Sequence, residues 1–471
     1  MLEGLEIREV DLKGITKTDL LRLESEFYTS KSFSLENYFL GKDIIDFVQY
    51  GTSEELNENR DGYPILRLNE FDSYFIGTPS KYSNKISIDT YKDLKLKKDD
   101  VLICRTNGNP KYVGKSAIVK EDYEFAYASY LFKIRPKREL INSSTLVAFL
   151  NGIYGRLEIE KFSMQSNQSN FSPAKFREIR IPKLSDKLNK IIENFFNNSY
   201  IQKNNSQQKY TQAENLLLET LGLQNFTPSL EAVNLKSLKE SFLSSGRLDA
   251  EYYQPKYEDY INLIKNNNWG FDRLENVCNL KDKNFNPKDD VNYKYIELSN
   301  IGKSGEITGN TFDLGKELPS RARRLVNTGD VIISSIEGSL ESCALVTEQY
   351  NQAICSTGFY VINSEKINSE TLLVLFKSAL MQNILKQNCS GTILTAINKN
   401  EFSNIPVPYI ENNIQQQIAE LIQESFALKA ASEKLLETSK RAVEIAIEEN
   451  EAAALEFINE NSYNYGFKIT Y

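Results

Sequence analysis

The sequence predicts an α+β chain built twice over: two homologous mixed domains alternating with two long helices that pack antiparallel, the whole related by a pseudo-twofold axis. Three observations predict it. A seven-residue motif occurs twice, and landmarks downstream of each copy recur in the same order at a nearly constant offset. Each copy then leaves through an apolar, proline-marked exit into a long polar segment with helical spacing.

The motif is Arg247-Leu248-Asp249-Ala250-Glu251-Tyr252-Tyr253, which repeats Arg22-Leu23-Glu24-Ser25-Glu26-Phe27-Tyr28 with only Asp/Glu, Ala/Ser and Tyr/Phe exchanges. Its lead-ins match as well, Val10-Asp11-Leu12-Lys13 answering to Val233-Asn234-Leu235-Lys236. Further along, Asp99-Asp100-Val101-Leu102-Ile103 answers to Gly329-Asp330-Val331-Ile332-Ile333, Gly108 to Gly338, and Ile179-Arg180-Ile181-Pro182 to Ile405-Pro406-Val407-Pro408. In both motif copies the arginine is expected to bridge acidic groups while the aromatic pair fills a junction between domain and helix.

Taken in order, residues 1–30 are a short lead-in and 31–183 read as a mixed domain. Strands are expected at Asp100–Cys104, Ala117–Val119 and Tyr130–Ile134, a helix over Leu146–Leu157, and a strand from Phe176 to Ile181. In 184–228 Leu188, Ile192, Phe196 and Leu217 fall at helical spacing, interrupted by polar Asn204–Gln208, with Gly222 as a stop. The second helical stretch is cleaner: Ile418, Leu421, Leu428 and Leu435 hold steps of three or seven, as a seam requires. Neither helix is apolar enough to stand alone, so these eight residues are the partner-binding candidates. The simplest partner is the other helix; packing of each on its own domain is the alternative.

Composition narrows the chemistry. A length of 471 residues exceeds one core and suggests about three units. The 41% apolar and 11% aromatic content is enough to bury those cores. No run of about 18 apolar residues is present, so neither a membrane span nor a signal peptide is expected. Five cysteines without a CxxC pair fit a reducing cytoplasm and argue against a zinc site. The chain has no histidine, which removes Ser-His-Asp, Cys-His and HExxH chemistry. It also lacks a GxxxxGK[ST] loop and an Asn-Pro-Pro-Tyr methyltransferase motif. The expectation is a non-catalytic binding protein with no metal site and no cofactor of its own.

These residues resemble those of the specificity subunit of type I restriction-modification systems. The resemblance rests on the doubled Asp-Val-Ile turn-strand at Asp99–Ile103 and Gly329–Ile333, and on the doubled Arg-Leu-Asp-Ala-Glu-Tyr-Tyr string. It also rests on the Ile405–Pro408 exit followed by Gln415-Gln416-Gln417-Ile418-Ala419. The first half departs from the pattern, since Pro182-Lys183-Leu184-Ser185-Asp186 lacks the second proline and the Gln-Ile.

The resemblance implies an N-terminal conserved segment (1–30), target-recognition domain 1 (31–183), a central conserved helical region (184–254), target-recognition domain 2 (255–409) and a C-terminal conserved helical region (410–471). It implies double-stranded DNA as partner, each domain reading half of a bipartite target while the helices set the spacer. Two modification (methyltransferase) subunits would dock along the helices, with restriction (ATP-dependent translocase and nuclease) subunits in the full complex. No membrane is involved. A non-catalytic protein-binding adaptor, or an inhibitor of a restriction complex, is the other reading that stays open.

The net charge of −8 has to be reconciled with DNA. From Glu411 to Tyr471 there are eleven acidic and five basic side chains, so the other 410 residues carry only about −2. Candidate DNA contacts are therefore local. Arg105, Asn107, Asn109, Lys111 and Lys115 lie in a loop after a strand, where Arg and Lys suit guanine edges and Asn suits adenine. The amide-rich stretch Gln165, Asn167 and Gln168 precedes the exit, and Lys399 ends its counterpart in the second half. Arg321, Arg323 and Arg324 form the densest basic cluster, read as a phosphate contact or as a surface turn paired to acids. Ser335 and Glu337 occupy the place of the Arg105 loop, Glu337 either accepting from a cytosine amino group or capping the turn.

Overall fold

The computed structural model describes residues 9–10, 25–29, 33–163, 169–391 and 395–463. These fall in two compact units, Met1–Lys203 with Ala430–Tyr471, and Asn204–Lys429. Each unit mixes sheet with helix and contains a part of both long helices.

In the first unit a six-stranded sheet has the order Ile45–Tyr50, Leu131–Pro136, Val101–Cys104, Ser116–Ile118, Phe75–Ile76, Phe71–Asp72. Val101–Cys104 is buried at all four positions because both faces of the strand are covered, which is why it reads as an unbroken apolar run. The second unit repeats the centre of this sheet, with Val331–Ser334 between Phe359–Asn363 and Cys343–Leu345. The register is preserved: Val101 faces Ile134 in one unit and Val331 faces Ile362 in the other.

The tight turn before each central strand is repeated atom for atom. Asp99 (φ +69°) and Gly329 (φ +86°) hold the left-handed conformation that the turn requires, at no cost for glycine and some for aspartate. Their carbonyls accept from Ser143 Oγ (2.5 Å) and Ser369 Oγ (2.6 Å), each in the first turn of a helix capped by Asn142 or Asn368. The buried carboxylates that follow are also equivalent. Asp100 accepts from Lys97 N–H (2.9 Å) and pairs with Arg135 (2.7 Å) and Lys133 (3.8 Å). Asp330 accepts from Asn327 N–H (2.8 Å) and Asn363 Nδ2 (2.9 Å) and pairs with Lys281 (2.7 Å). Burial pushes the Asp100 carboxyl above its usual range and pulls the Lys133 ammonium below its own.

The expected strand from Phe176 is shorter than its apolar letters suggest. Ser172 caps, and Pro173 opens, a one-turn helix that ends at Phe176, so only Arg180–Pro182 is strand, paired with Tyr38–Leu40. Asn398 caps Lys399–Asn404 in the same place of the second unit, ahead of strand Pro406–Pro408. The helix expected over Leu146–Leu157 is two, Ser143–Asn151 and Ile153–Ser163, parted at Gly152.

The first long helix runs unbroken over Asp186–Thr220, and Gly222 follows it with φ +71°. Polar Asn204–Gln208 does not interrupt it, because a buried serine serves there in place of an apolar residue. Ser206 Oγ lies 3.1 Å from Ser425 Oγ, and Lys209 pairs with Glu424 at 2.7 Å. In the first unit Ser199 Oγ meets Ser432 Oγ at 2.8 Å, and Ser185 N–H donates to Glu451 at 2.8 Å. Within each unit the helix segments therefore run antiparallel. The second long helix, Asn412–Glu448, is about 55 Å at 1.5 Å per residue, and Asn450 caps a further helix, Glu451–Tyr463.

Six of the eight seam residues are buried inside the chain's own cores. Leu188, Ile192, Phe196 and Leu435 share one with Val101, Ile103 and Phe132. Leu217 and Ile418 share another with Val331 and Ile333, with Leu421 packed against it, while Leu428 is half-buried. Each stripe thus packs on a helix and on a sheet at once, so the two expectations for its partner are not exclusive.

All five cysteines are free and buried, and burial pushes Cys104 up to about 11 and Cys278, Cys343 and Cys389 up to about 12. Among the described residues no helix is long and apolar enough to cross a membrane, and no His/Cys/Asp/Glu cluster could hold a metal.

Arg247 acts as a clasp in the second unit. Its guanidinium donates to Asp249 (2.9 and 2.6 Å), Glu401 (3.3 Å) and the Cys389 carbonyl (2.9 Å), and lies 4.4 Å from the Tyr252 ring centroid. Tyr252 and Tyr253 meet edge-on at 4.9 Å, as Phe27 and Tyr28 do at 5.1 Å; Arg22, Leu23 and Glu24 lie outside the described residues. Hydrogen bonds from Arg247 hold the Asp249 carboxyl below its usual range. A depressed folded value means the link is fully present above the unfolded value near pH 4 and is lost as pH falls through the folded value. Acidification from about pH 4 through the lower folded value of Asp249 is expected to reduce the protection of amides across 247–254, and Asp249→Ala to abolish that dependence, read by hydrogen–deuterium exchange corrected for the intrinsic slowing of exchange in acid.

Candidate nucleic-acid interface

The Arg105 loop is held at its start by backbone bonds on both sides. Arg105 N–H donates to Tyr130 O (2.7 Å), Phe171 N–H donates to Arg105 O (2.7 Å), and Thr106 bridges Asn170. Residues just after the amide-rich stretch are thereby brought against the loop. Gln165, Asn167 and Gln168 themselves lie outside the described residues.

Within the loop Asn107 Oδ1 accepts from Asn109 N–H (2.8 Å), and Asn109 Oδ1 caps the short helix Pro110–Tyr112 by accepting from Lys111 N–H (3.1 Å). Gly108 stands in open space. Gly114 is the glycine that the loop requires, with φ +83° and a Cβ position 2.5 Å from Ile159 Cγ2. Arg156, unforeseen in the sequence, braces the loop from a helix by donating to Val113 O (2.6 Å) and Lys111 O (3.3 Å).

The side chains differ in setting. The Arg105 guanidinium lies 5.2 Å from the Tyr50 ring centroid, and its Nε is buried without a partner among the described residues. Lys111 is exposed. Lys115 is half-buried 5.9 Å from the Tyr112 ring, and burial pulls its ammonium below the usual range against the opposing pull of Cys104 and Asp72. Thr106, Asn107, Tyr112 and Lys115 line a concavity of about 560 Å³ together with Asn69, Leu68, Phe71 and Tyr130. Asn69 comes from a distant turn, and no local sequence signal connects it to this loop.

The second unit builds the same frame with other side chains. Ser335 N–H donates to Gly358 O (2.9 Å), Ile397 N–H donates to Ser335 O (2.9 Å), and Ile336 bridges Ala396. Ser335 Oγ turns inward to the Gly358 carbonyl (3.0 Å). Glu337 N–H donates to Thr395 O (3.0 Å), and Ile336, Glu337, Gly338, Lys386 and Thr395 line a concavity of about 510 Å³.

The basic cluster is tied to amides and carbonyls in place of acids. Arg323 donates to Ser320 O (3.1 Å) and Asn286 Oδ1 (3.1 Å), and Arg324 to Asn284 Oδ1 (3.0 Å) and the Asp282 carbonyl. Arg321 is exposed. Lys399 pairs with the Asp282 carboxylate, which that hydrogen bond holds below its usual range. The segment Asp282–Asn286 thus links Arg323, Arg324 and Lys399, a role its sequence did not announce.

The type I restriction modification DNA specificity domain family matches residues 266–438. The specificity subunit of the type I restriction enzyme EcoDI from Escherichia coli is 28% identical over 169 residues, 36% of this chain. The chain spans 37% of the length of that relative. Among solved structures, the type I restriction-modification S subunit from M. genitalium is 14% identical with a TM-score of 0.39, over 87% of this chain and 94% of its own. The HsdS subunit from Thermoanaerobacter tengcongensis is 12% identical with a TM-score of 0.29, over 89% and 98%. Residues 266–438 are thus similar to the type I restriction modification DNA specificity domain.

Proposed function

We propose that this protein is the DNA sequence-specificity subunit of a type I restriction-modification complex, with 31–183 and 255–409 each reading one half of a bipartite target. The single observation that carries this is the duplicated loop frame around Arg105 and Ser335, the same backbone bonds presenting different side chains. Identical scaffolds with unlike surfaces suit two reading heads for two unlike sequences.

The helical regions 184–254 and 410–471 would set the unread spacer and dock two modification subunits, which in turn would recruit restriction subunits. Most of the seam residues hold the chain's own cores, so docking would fall on the helices' outer faces. The chain would supply recognition and no catalytic group. With the acidic excess concentrated in Glu411–Tyr471, DNA affinity would depend on the assembled complex, because phosphate neutralisation supplies much of such affinity. The test is co-expression with the modification subunit of its own system, followed by mapping of methylated bases across a genome. Methylated adenines in one split motif with a fixed gap are expected. Failure to copurify, with no new methylation, would overturn the reading in favour of an adaptor or inhibitor.

A further inference from the structure

The two loop frames can be superposed residue on residue by their hydrogen bonds. Arg105 matches Ser335, since each donates its N–H to one strand end and offers its carbonyl to Phe171 or Ile397. The isolated bridges Thr106 to Asn170 and Ile336 to Ala396 come next. The residue after each bridge is therefore equivalent, and it is Asn107 in one unit and Glu337 in the other. Both line the concavity beside their loop, of about 560 and 510 Å³.

We propose that Asn107 and Glu337 are the equivalent specificity-determining residues of the two halves, with opposite hydrogen-bonding sense. Asn107 donates to an acceptor edge of a base, purine N7 or O6 or thymine O4. Glu337 accepts from an exocyclic amino group, cytosine N4 or adenine N6. The inference rests on the DNA-reading function above and deepens it.

The orientation of Asn107 is set by its own loop. Asn109 N–H needs an acceptor and finds Asn107 Oδ1 at 2.8 Å, so the amide oxygen is turned inward and the nitrogen, with two N–H donors, faces away. Lys115 lines the same concavity and adds a second donor, so this concavity is matched to acceptors. Glu337 is the reverse. Its backbone is held by Thr395, its carboxylate is in no ion pair among the described residues, and it is half-buried. A carboxylate facing DNA is repelled by phosphates and is compensated only by a base donor, with Lys386 on the same concavity tempering the local charge.

The experiment compares methylation motifs of the co-expressed complex carrying wild-type chain, Asn107→Asp or Glu337→Gln. The carboxylate introduced by Asn107→Asp would keep the acceptor for Asn109 N–H while losing the outward donors, so the loop's shape is retained; Glu337→Gln is isosteric. Asn107→Asp is expected to shift one base position of one half toward an amino-bearing edge, leaving the other half and the gap unchanged. Glu337→Gln is expected to lower discrimination at one position of the opposite half by about tenfold or more. Variants that methylate the wild-type motif with undiminished discrimination overturn the proposal alone. A wild-type complex without a split motif overturns the specificity-subunit reading, and this proposal with it.

Discussion

Asp100→Ala is expected to destabilise the first unit by about 3–5 kcal/mol, because it leaves a buried cation without its counter-charge. Lys133 is 3% exposed, and Asp100 is wholly buried between it and Arg135. Lys97 N–H also loses its acceptor. The equivalent change in the second unit should cost less, about 1–3 kcal/mol, since it leaves Asn327 N–H and Asn363 unsatisfied while Lys281, 35% exposed, regains water. Denaturant unfolding of the two single variants, followed by unit-resolved hydrogen exchange, checks both the size and the ranking. Equal losses would mean that exposure of the cation partner does not decide the cost.

Arg105→Ala should weaken binding of the assembled complex to its target by about 1–3 kcal/mol, roughly fivefold to 150-fold. The guanidinium is poised on the exposed Tyr50 ring at the loop's base, and its buried Nε is not spent within the described residues. Ser335→Ala at the equivalent position should change binding little, because that hydroxyl is already used on the Gly358 carbonyl. Titration of the complex with its mapped target at several salt concentrations measures both. A loss on Ser335→Ala that equals the loss on Arg105→Ala would count against the assignment of the Arg105 loop to DNA.

Much of the architecture was legible in the letters because its causes are local or periodic. The strand at Val101–Cys104 reads as an apolar run because it is buried on both faces. The one-turn helix at Pro173–Phe176 was hidden because its apolar residues also suit a strand, and the Ser-Pro cap decides between them. Likewise the polar Asn204–Gln208 stretch reads as a break, and only the opposite Ser425 shows that Ser206 is a contact. At the interface the Arg105 loop stands out by composition, whereas Asn69 reaches it from a turn, Tyr50 from a strand and Arg156 from a helix, all distant in the chain. The link between the Arg323–Arg324 cluster and Lys399 runs through Asp282–Asn286 and is equally non-local.

The sequence by itself determined the duplication, the order of its parts, the two long helices and the exclusion of histidine-based chemistry, since these depend on identity, period and count. The tertiary structure decided what the equivalent loop residues of the two copies bond to. It showed that most of the seam residues close the chain's own cores, and that Asn107 and Glu337 each stand at a concavity. Hydrogen-bond partners and burial are set by residues distant in sequence, and no spacing rule carries them.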